Sequence, residues 1–253
     1  MSLFSFASML LRYGVSLALL ALMWAAAVYV LDIPSYLLPE PVAVIKTLFT
    51  EWPIFADAAR LTFGNMAAGA TLGISLGVLV GVAAAYSQRL RWLVEPYLGI
   101  FQSFPRESLL PLFIVWLGFG SGPKILSSAL LSFFPMAVIT LNSLSDTRDD
   151  YIRLMQTWNA SRLQTYLFCR APAAVPAIVG GLKVCLPLAL IGAVIGEFLG
   201  GNGGLGYLIV SSGSAFRTDR AFAAIIVLAG GGLTLVGLVD ALRIFLLRPL
   251  YQK

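Results

Sequence analysis

Histidine is absent from the 253 residues, and only 11% of the chain is charged. Without an imidazole, a histidine-ligated metal centre, a Ser-His-Asp triad and a Cys-His dyad are all excluded. Cysteine is nearly missing too. Cys169 and Cys185 have no metal-ligand spacing and form no disulfide framework, so they read as two reduced thiols. The shortage of charge decides the broad class. A soluble domain is about 25% charged. This chain is 59% apolar with a mean hydropathy of +0.88, and it cannot coat a water-facing surface of its size. It reads as an integral membrane protein. The net charge of +5 does not point to nucleic acid, because the basic residues stand singly between apolar blocks.

About 20 apolar residues cross the hydrocarbon core as a helix. Six stretches qualify: Tyr13 to Leu31, Leu61 to Gln88, Leu93 to Gly120, Ile125 to Ser145, Ala173 to Leu199 and Ala221 to Leu247. The third is broken at Pro105-Arg106-Glu107 and resumes as LLPLFIVWLGFG. Six spans put both termini on one side. With the N-terminus in the cytoplasm, nine basic residues fall inside (Arg12, Arg89, Arg91, Arg148, Arg153, Arg162, Arg170, Arg248, Lys253) and five outside (Lys46, Arg60, Lys124, Arg217, Arg220). That excess favours both termini being cytoplasmic. The first span, with Arg12 ahead of it and Ala25-Ala26-Ala27 late in it, reads as an uncleaved anchor.

Two segments stand apart from plain loops. Outside, LLPEPVAVIKTLF follows the first span, and its two prolines forbid a continuous helix before an amphipathic stretch. Inside, residues 146–172 form the longest hydrophilic stretch, DTRDDYIRLMQTWNASRLQTYLFCRAP. Asp149 and Asp150 suit a helix N-terminus. Ile152, Leu154 and Met155 are read as one apolar patch, with Arg153 and Gln156 facing elsewhere. Ser161 caps a second short helix, the two join near Asn159, and Pro172 closes the pair. Such a pair is either a connector resting on the membrane surface or a helix offered to a groove on a partner protein. The chain has no nucleotide-binding sequence of its own: in GFGSGPKI, Pro123 precedes Lys124 and no Ser/Thr follows.

Ionisable residues at membrane depth face the bundle interior or a wet cavity. Arg106 and Glu107 at the break, and Glu197 late in the fifth span, are candidates to line a path. The bland readings are a bridge that steadies the broken helix and a glutamate among headgroups. Arg106 is the expected partner of Glu197. Lys183 stands about 21 Å along the helix from Glu197, too far to pair, and is read as a snorkelling residue. Gly69, Gly73, Gly77 and Gly81 stack on one face of the second span, for packing within the chain or across a homodimer seam. GGNGGLGY, residues 200–207, reads as a flexible outer turn, a re-entrant loop or a gate hinge.

The stretch NASRLQTYLFCRAPAAVPAIVGGLKV resembles the cytoplasmic signature of permease subunits of ATP-binding-cassette importers. Pro172, Pro176 and Gly181 stand where that signature has them. LLPEP, LLPLFIVWLGFGSGPKI and LALIGAVIGEFLGGNGGLGYLI are similar to the branch handling nitrate, taurine, alkanesulfonates and thiamine pyrimidine precursors. GAVIGEF is nearer the riboflavin and thiamine-pyrimidine side. Arg153-Leu154-Met155 takes the place of the family's Glu-Ala-Ala, and Asn159 that of its glycine; asparagine tolerates the left-handed turn required there.

The resemblance implies an all-α polytopic fold of the type I importer permease class, one domain over 1–253 with a coupling segment at 146–172. It implies ATPase coupling through Asp150, Arg153, Leu154, Met155, Thr157, Trp158, Asn159, Ala160, Ser161 and Pro172. It also implies the bacterial inner (plasma) membrane, a cytoplasmic ATPase dimer carrying ATP and Mg, an external binding protein that delivers a small solute, and a second permease copy. The chain itself then holds no cofactor and no catalytic residue, and its contacts are with lipid rather than nucleic acid. The competing class is a secondary transporter or channel, which needs no ATPase and would show two repeated halves with ion-coordinating residues; no such repeat is present in the sequence. An intramembrane enzyme would need a nucleophile with a base, and Lys183 has no serine within a helical turn.

Overall fold

The structure, a computed structural model, describes residues 3–147 and 149–247. Arg148, Arg248 and Lys253, three of the basic residues that orient the chain, lie outside the described residues. Eleven α-helices follow in order among the described residues: α1 Leu3–Val30, α2 Pro41–Thr50, α3 Trp52–Tyr86, α4 Gln88–Ser103, α5 Leu110–Leu117, α6 Ser121–Ser145, α7 Asp149–Thr157, α8 Arg162–Thr165, α9 Ala171–Gly200, α10 Leu205–Ser214 and α11 Thr218–Leu247. The all-α architecture follows from burial in lipid, where each helix satisfies its own backbone polar groups.

Four of these helical runs are long and apolar enough to cross a membrane among the described residues: Trp52–Tyr86, Ser121–Ser145, Arg162–Gly200 and Thr218–Phe245. They are the expected second, fourth, fifth and sixth spans. The second starts nine residues earlier than expected, because Pro53 at the helix start fits where no N–H is needed. The expected third span is two separate helices. α4 ends at Ser103, a 3₁₀ turn occupies Arg106–Leu109, and α5 adds eight residues. The break falls where Pro105 forces the preceding residue into extended backbone, Phe104 at φ −84° and ψ 135°. Gly118 and Gly120, at φ +72° and +147°, end α5 and turn the chain into α6.

The core is built on α6, the most buried span. Its partners reach it through glycine. A Cβ on Gly69 would stand 2.5 Å from the Ile125 carbonyl, and one on Gly77 2.7 Å from the Phe133 carbonyl. Gly73 meets the Ala129 carbonyl and Gly81 Thr140. Of the two readings open for the glycine row, packing within the chain is the one observed: the row lies flat on α6, backbone against backbone. From α9, Gly192 and Gly196 approach the backbone of Ser127 and Lys124 in the same way. Hydroxyls inside this core close on carbonyls, Ser127 on Pro123 at 2.8 Å and Ser132 on Ser128 at 2.9 Å, while Ser128 crosses to the Met66 carbonyl on α3.

α1 lies at the margin, with Trp24 set against Phe222 of α11 at 5.4 Å between ring centroids. α2 follows the prolines as expected, Pro41 at its first turn, with Val44 buried and Val42 and Phe49 exposed.

Candidate functional site

At one end of the bundle, α7 begins at Asp149 and ends in a tight cap. The Asn159 N–H bonds the Gln156 carbonyl and the Ala160 N–H bonds the Met155 carbonyl, both at 3.0 Å. This is the paired closure in which a residue of left-handed backbone ends a helix. Asn159 has φ +53°. Ser161 then caps α8, its hydroxyl accepting from the Gln164 N–H while the Gln164 side chain accepts from the Ser161 N–H. The expected joint at Asn159 and cap at Ser161 are both present.

The second helix is not short, however, and Pro172 does not close it. α8 passes through a π turn at Tyr166–Arg170 directly into α9, a continuous run from Arg162 to Gly200. Proline in a helix clashes with the carbonyl four residues before it, and a widened turn removes that clash. Two side chains fasten this junction to the spans. The Tyr166 hydroxyl donates to the Val82 carbonyl on α3 at 3.2 Å, and Arg170 Nη1 donates to the Leu144 carbonyl on α6 at 3.3 Å.

The apolar patch on α7 divides differently from the expectation. Ile152 and Met155 turn inward, half-buried, whereas Leu154 is 48% exposed. Gln156 shares the Ile152 side, because four residues bring the helix back to one face. Both line a cavity of about 490 Å³ with Ala160, Arg162, Thr165 and Arg170. On the outer side Tyr151, Leu154 and Trp158, the last 72% exposed, form a strip at spacing three and four. Arg153, Asp150 and Thr157 are also exposed, with the Thr157 hydroxyl turned back to the Leu154 carbonyl at 2.7 Å.

At the other end lies Glu197, and here the structure corrects the sequence. Glu197 is 1% exposed. Its partner is not Arg106. Both carboxylate oxygens accept from the Thr62 hydroxyl at 2.9 Å, and Oε2 accepts from the Gly206 N–H at 2.9 Å. The Thr62 oxygen in turn accepts from the Leu205 N–H at 2.8 Å. The carboxylate therefore sits on the open N–H groups that begin α10, where negative charge is favoured. Residues 201–204 form a cover over this group. Gly204 has φ +106°, and a Cβ there would collide with the carboxyl of Glu197.

Lys124, expected in an outer loop, is 5% exposed inside α6, with Nζ donating to the Gly203 carbonyl at 3.1 Å. Thr62 and Lys124 are the site residues that sequence reasoning missed. The one available signal was Lys124 standing four residues beyond Gly120, directly before the expected fourth span. Lys183 pairs with Asp240 of α11, a partner the sequence reading did not name.

Arg106 and Glu107 stay together at the break between α4 and α5. With Ser127 and Leu131 of α6 and Gly192 and Ile195 of α9 they line a recess of about 10 Å³. The Arg106 guanidinium lies over the Phe134 ring, 5.9 Å from its centroid. Its Nε and Nη1 are buried without a hydrogen-bond partner. Glu107, next to it, is exposed.

The comparisons agree with this architecture. The family described as binding-protein-dependent transport system inner membrane component matches residues 73–244. A probable ABC transporter permease protein of Haemophilus influenzae is 31% identical over 231 residues, 91% of this chain and 94% of that protein. The formylaminopyrimidine transport permease protein ThiX of Halalkalibacterium halodurans is 32% identical over 83% of this chain and 84% of its own length. Among solved structures, an amino acid ABC transporter superposes with a TM-score of 0.63, at 16% identity, over 80% of this chain and 97% of that one. That likeness establishes the fold, the one common to type I importer permeases. The chain belongs to the binding-protein-dependent transport system inner membrane component family and is the membrane-spanning permease subunit of an ABC importer.

Proposed function

We propose that the outer strip of α7 is the docking element for the partner ATPase, which holds ATP and Mg on its own residues. The observation that carries this reading is the combination of Tyr151, Leu154 and Trp158, apolar and exposed on the outer face among Asp150, Arg153 and Thr157, with an Asn159 cap and a second helix that continues unbroken into the bundle. An amphipathic helix set in a groove is a recurrent mode of recognition. Asp150 and Arg153 flank the strip and set its register. Met155, turned inward, supports the helix from beneath, and Thr157, Asn159, Ala160 and Ser161 shape its end. Pro172 acts one turn further on, through the π turn. Motion of α7 then reaches the ends of α3 and α6 through Tyr166 and Arg170.

In the same reading two copies of the chain enclose the path, in a lipid bilayer with both termini in the cytoplasm. Arg106 and Glu107 face that path, because an exposed carboxylate at membrane depth is far costlier against lipid than against water. A binding protein on the far side delivers the cargo, and an equilibrium between two states, each favoured by a different partner, moves it. No feature of the chain supports the secondary-transporter alternative over this one.

The docking is tested by purifying the tagged permease from membranes that also contain the ATPase. Leu154→Ala with Trp158→Ala is expected to lose the bound ATPase at least about tenfold, the size of effect expected for two buried interface anchors, while the permease keeps its thermal transition. Retention of the ATPase by that double variant would refute the assignment. Leu154→Cys, not Met155→Cys, is the position expected to cross-link to the ATPase.

A further inference from the structure

The recess at the span-three break holds two unmet demands in adjacent residues. Arg106 buries Nε and Nη1 with no acceptor, and its recess of about 10 Å³ has room for barely one water. Among the described residues no carboxylate lies within ion-pair distance of that guanidinium. What holds it is the face of Phe134, an attraction that leaves the N–H groups unanswered. Glu107, one residue on, is exposed and outside any ion pair among the described residues. Phe134 stands midway along α6, so this is not a headgroup position. A cation with spare donors and an adjacent exposed anion form a self-complementary pair. Under two-fold symmetry such a pair meets its own copy reciprocally: residue i contacts j, and j contacts i.

We propose that Arg106 and Glu107 form an ionic latch with the same two residues of a second copy of this chain, Arg106 swinging off Phe134 to reach it. This rests on the reading of the chain as a permease that works in pairs. The conformation described here is the open half of the switch. Its guanidinium is parked on an aromatic face with its hydrogen bonds unmade. When the copies close at the break, each Arg106 exchanges the ring for the opposite copy's carboxylate, and two ion pairs seal the path between them. Charged side chains at membrane depth characteristically pair in this way. The latch is a gate that depends on no particular cargo.

The test uses the complete permease–ATPase complex in membrane vesicles, with Cys169→Ser and Cys185→Ser and a reporter Ser108→Cys at the exposed neighbouring position. A short bismaleimide reads the approach of the two copies as cross-linked dimer. With native charges a dimer band is expected. Arg106→Glu and Glu107→Arg, each alone, set like charges against one another and should lower the yield about fivefold, the lower end of typical coupling effects. The double exchange restores opposite charges across the two-fold and should restore the band. Phe134→Leu removes the parking face and should raise it.

Absence of a dimer band with native charges, indifference of the band to the single changes, or failure of the double exchange to rescue it would each overturn the latch. If Arg106 instead served an anionic cargo, the double exchange would not rescue, so that outcome counts against the proposal too. Co-elution of the ATPase from the same vesicles is scored separately: its loss with native charges refutes the permease–ATPase reading, whereas its presence with an unresponsive band refutes the latch alone.

Discussion

Glu197 and Arg106, two of the charged groups set deep in this protein, have opposite surroundings. The Glu197 carboxylate has donors, the Thr62 hydroxyl shared between its two oxygens and the Gly206 N–H, beneath a glycine cover that only a missing Cβ allows. Arg106 has a ring beneath it and N–H groups that meet nothing. Both are costly in hydrocarbon. A buried charge held by hydrogen bonds resists displacement, since moving it leaves its donors unmet at once. A charge left unmatched has something to gain by moving. The first belongs to the architecture; the second is the group that the proposed latch sets in motion.

The largest effect expected from this contrast is on stability at Glu197. Replacing it with alanine leaves the Gly206 N–H and the Thr62 hydroxyl without their acceptor, at a cost of about 3 kcal/mol, the upper range for hydrogen bonds to a charged group. Thermal unfolding of the detergent-solubilised permease reads this directly. A transition unchanged by Glu197→Ala would break the comparison, because the knot would then contribute nothing.

A smaller effect is expected at the outer ion cluster, where Arg220 and Arg217 bond the two oxygens of Glu51 at the junction of α2 and α3. Arg220 first and Arg217 after it hold the Glu51 carboxyl below the ordinary range, against burial, which acts the other way. A carboxyl with a depressed folded-state pKa contributes stability that is complete above its unfolded pKa and is lost as pH falls through the folded value. The loss therefore sets in below pH 4.5, the ordinary value. It amounts to less than about 1 kcal/mol for so accessible a pair. The hydrogen-exchange protection factor at the start of α11, taken against the intrinsic rate at each pH, should fall in that window, and Glu51→Gln should remove the fall. The group is well matched but wet, which places it between the two buried ones.

The smallest effect on stability belongs to Arg106. Arg106→Met keeps the apolar contact with Phe134 and removes donors that had no acceptor, so the thermal transition should stay within about 0.5 kcal/mol of the native one, as for substitutions that break no buried network. ATP-driven uptake through the same variant should fall sharply. A large destabilisation would mean that Arg106 is architectural after all, and the contrast with Glu197 would vanish.

The helices, the span-three break, the Asn159 joint and the Ser161 cap were legible in the sequence because each rests on local chemistry: apolar length, proline, left-handed tolerance and a hydroxyl before a helix. What stayed hidden was long-range. Thr62 lies 135 residues from Glu197, and nothing in an amphipathic pattern says which hydroxyl will meet which carboxylate. The same holds for Lys124 and Gly203, and for Lys183 and Asp240. The expectation of an Arg106–Glu197 pair followed charge alone and overlooked the helix N-terminus as an anion partner. The division of α7 into an inner face with Ile152 and an outer one with Leu154 was within reach of helical geometry. Grouping both with Met155 ignored the 100° step between neighbours.

The unbroken run from Arg162 to Gly200 has a mechanical consequence. Its 39 residues amount to about 58 Å at 1.5 Å per residue, longer than a bilayer is thick. The proposed docking end and the Glu197 knot are thus opposite tips of one lever. Arg170 and Tyr166 place its fulcrum close to the docking tip, with a short arm on the α7 side and a long arm toward Glu197. A lever so divided trades force for travel: a tilt of one degree about that point sweeps the far tip by about 0.8 Å over the ~45 Å from Arg170 to Gly200. On the proposed docking at α7, small adjustments of the ATPase groove are enlarged in this way before they reach the far tip, where the knot at Glu197 is the joint that absorbs or transmits them.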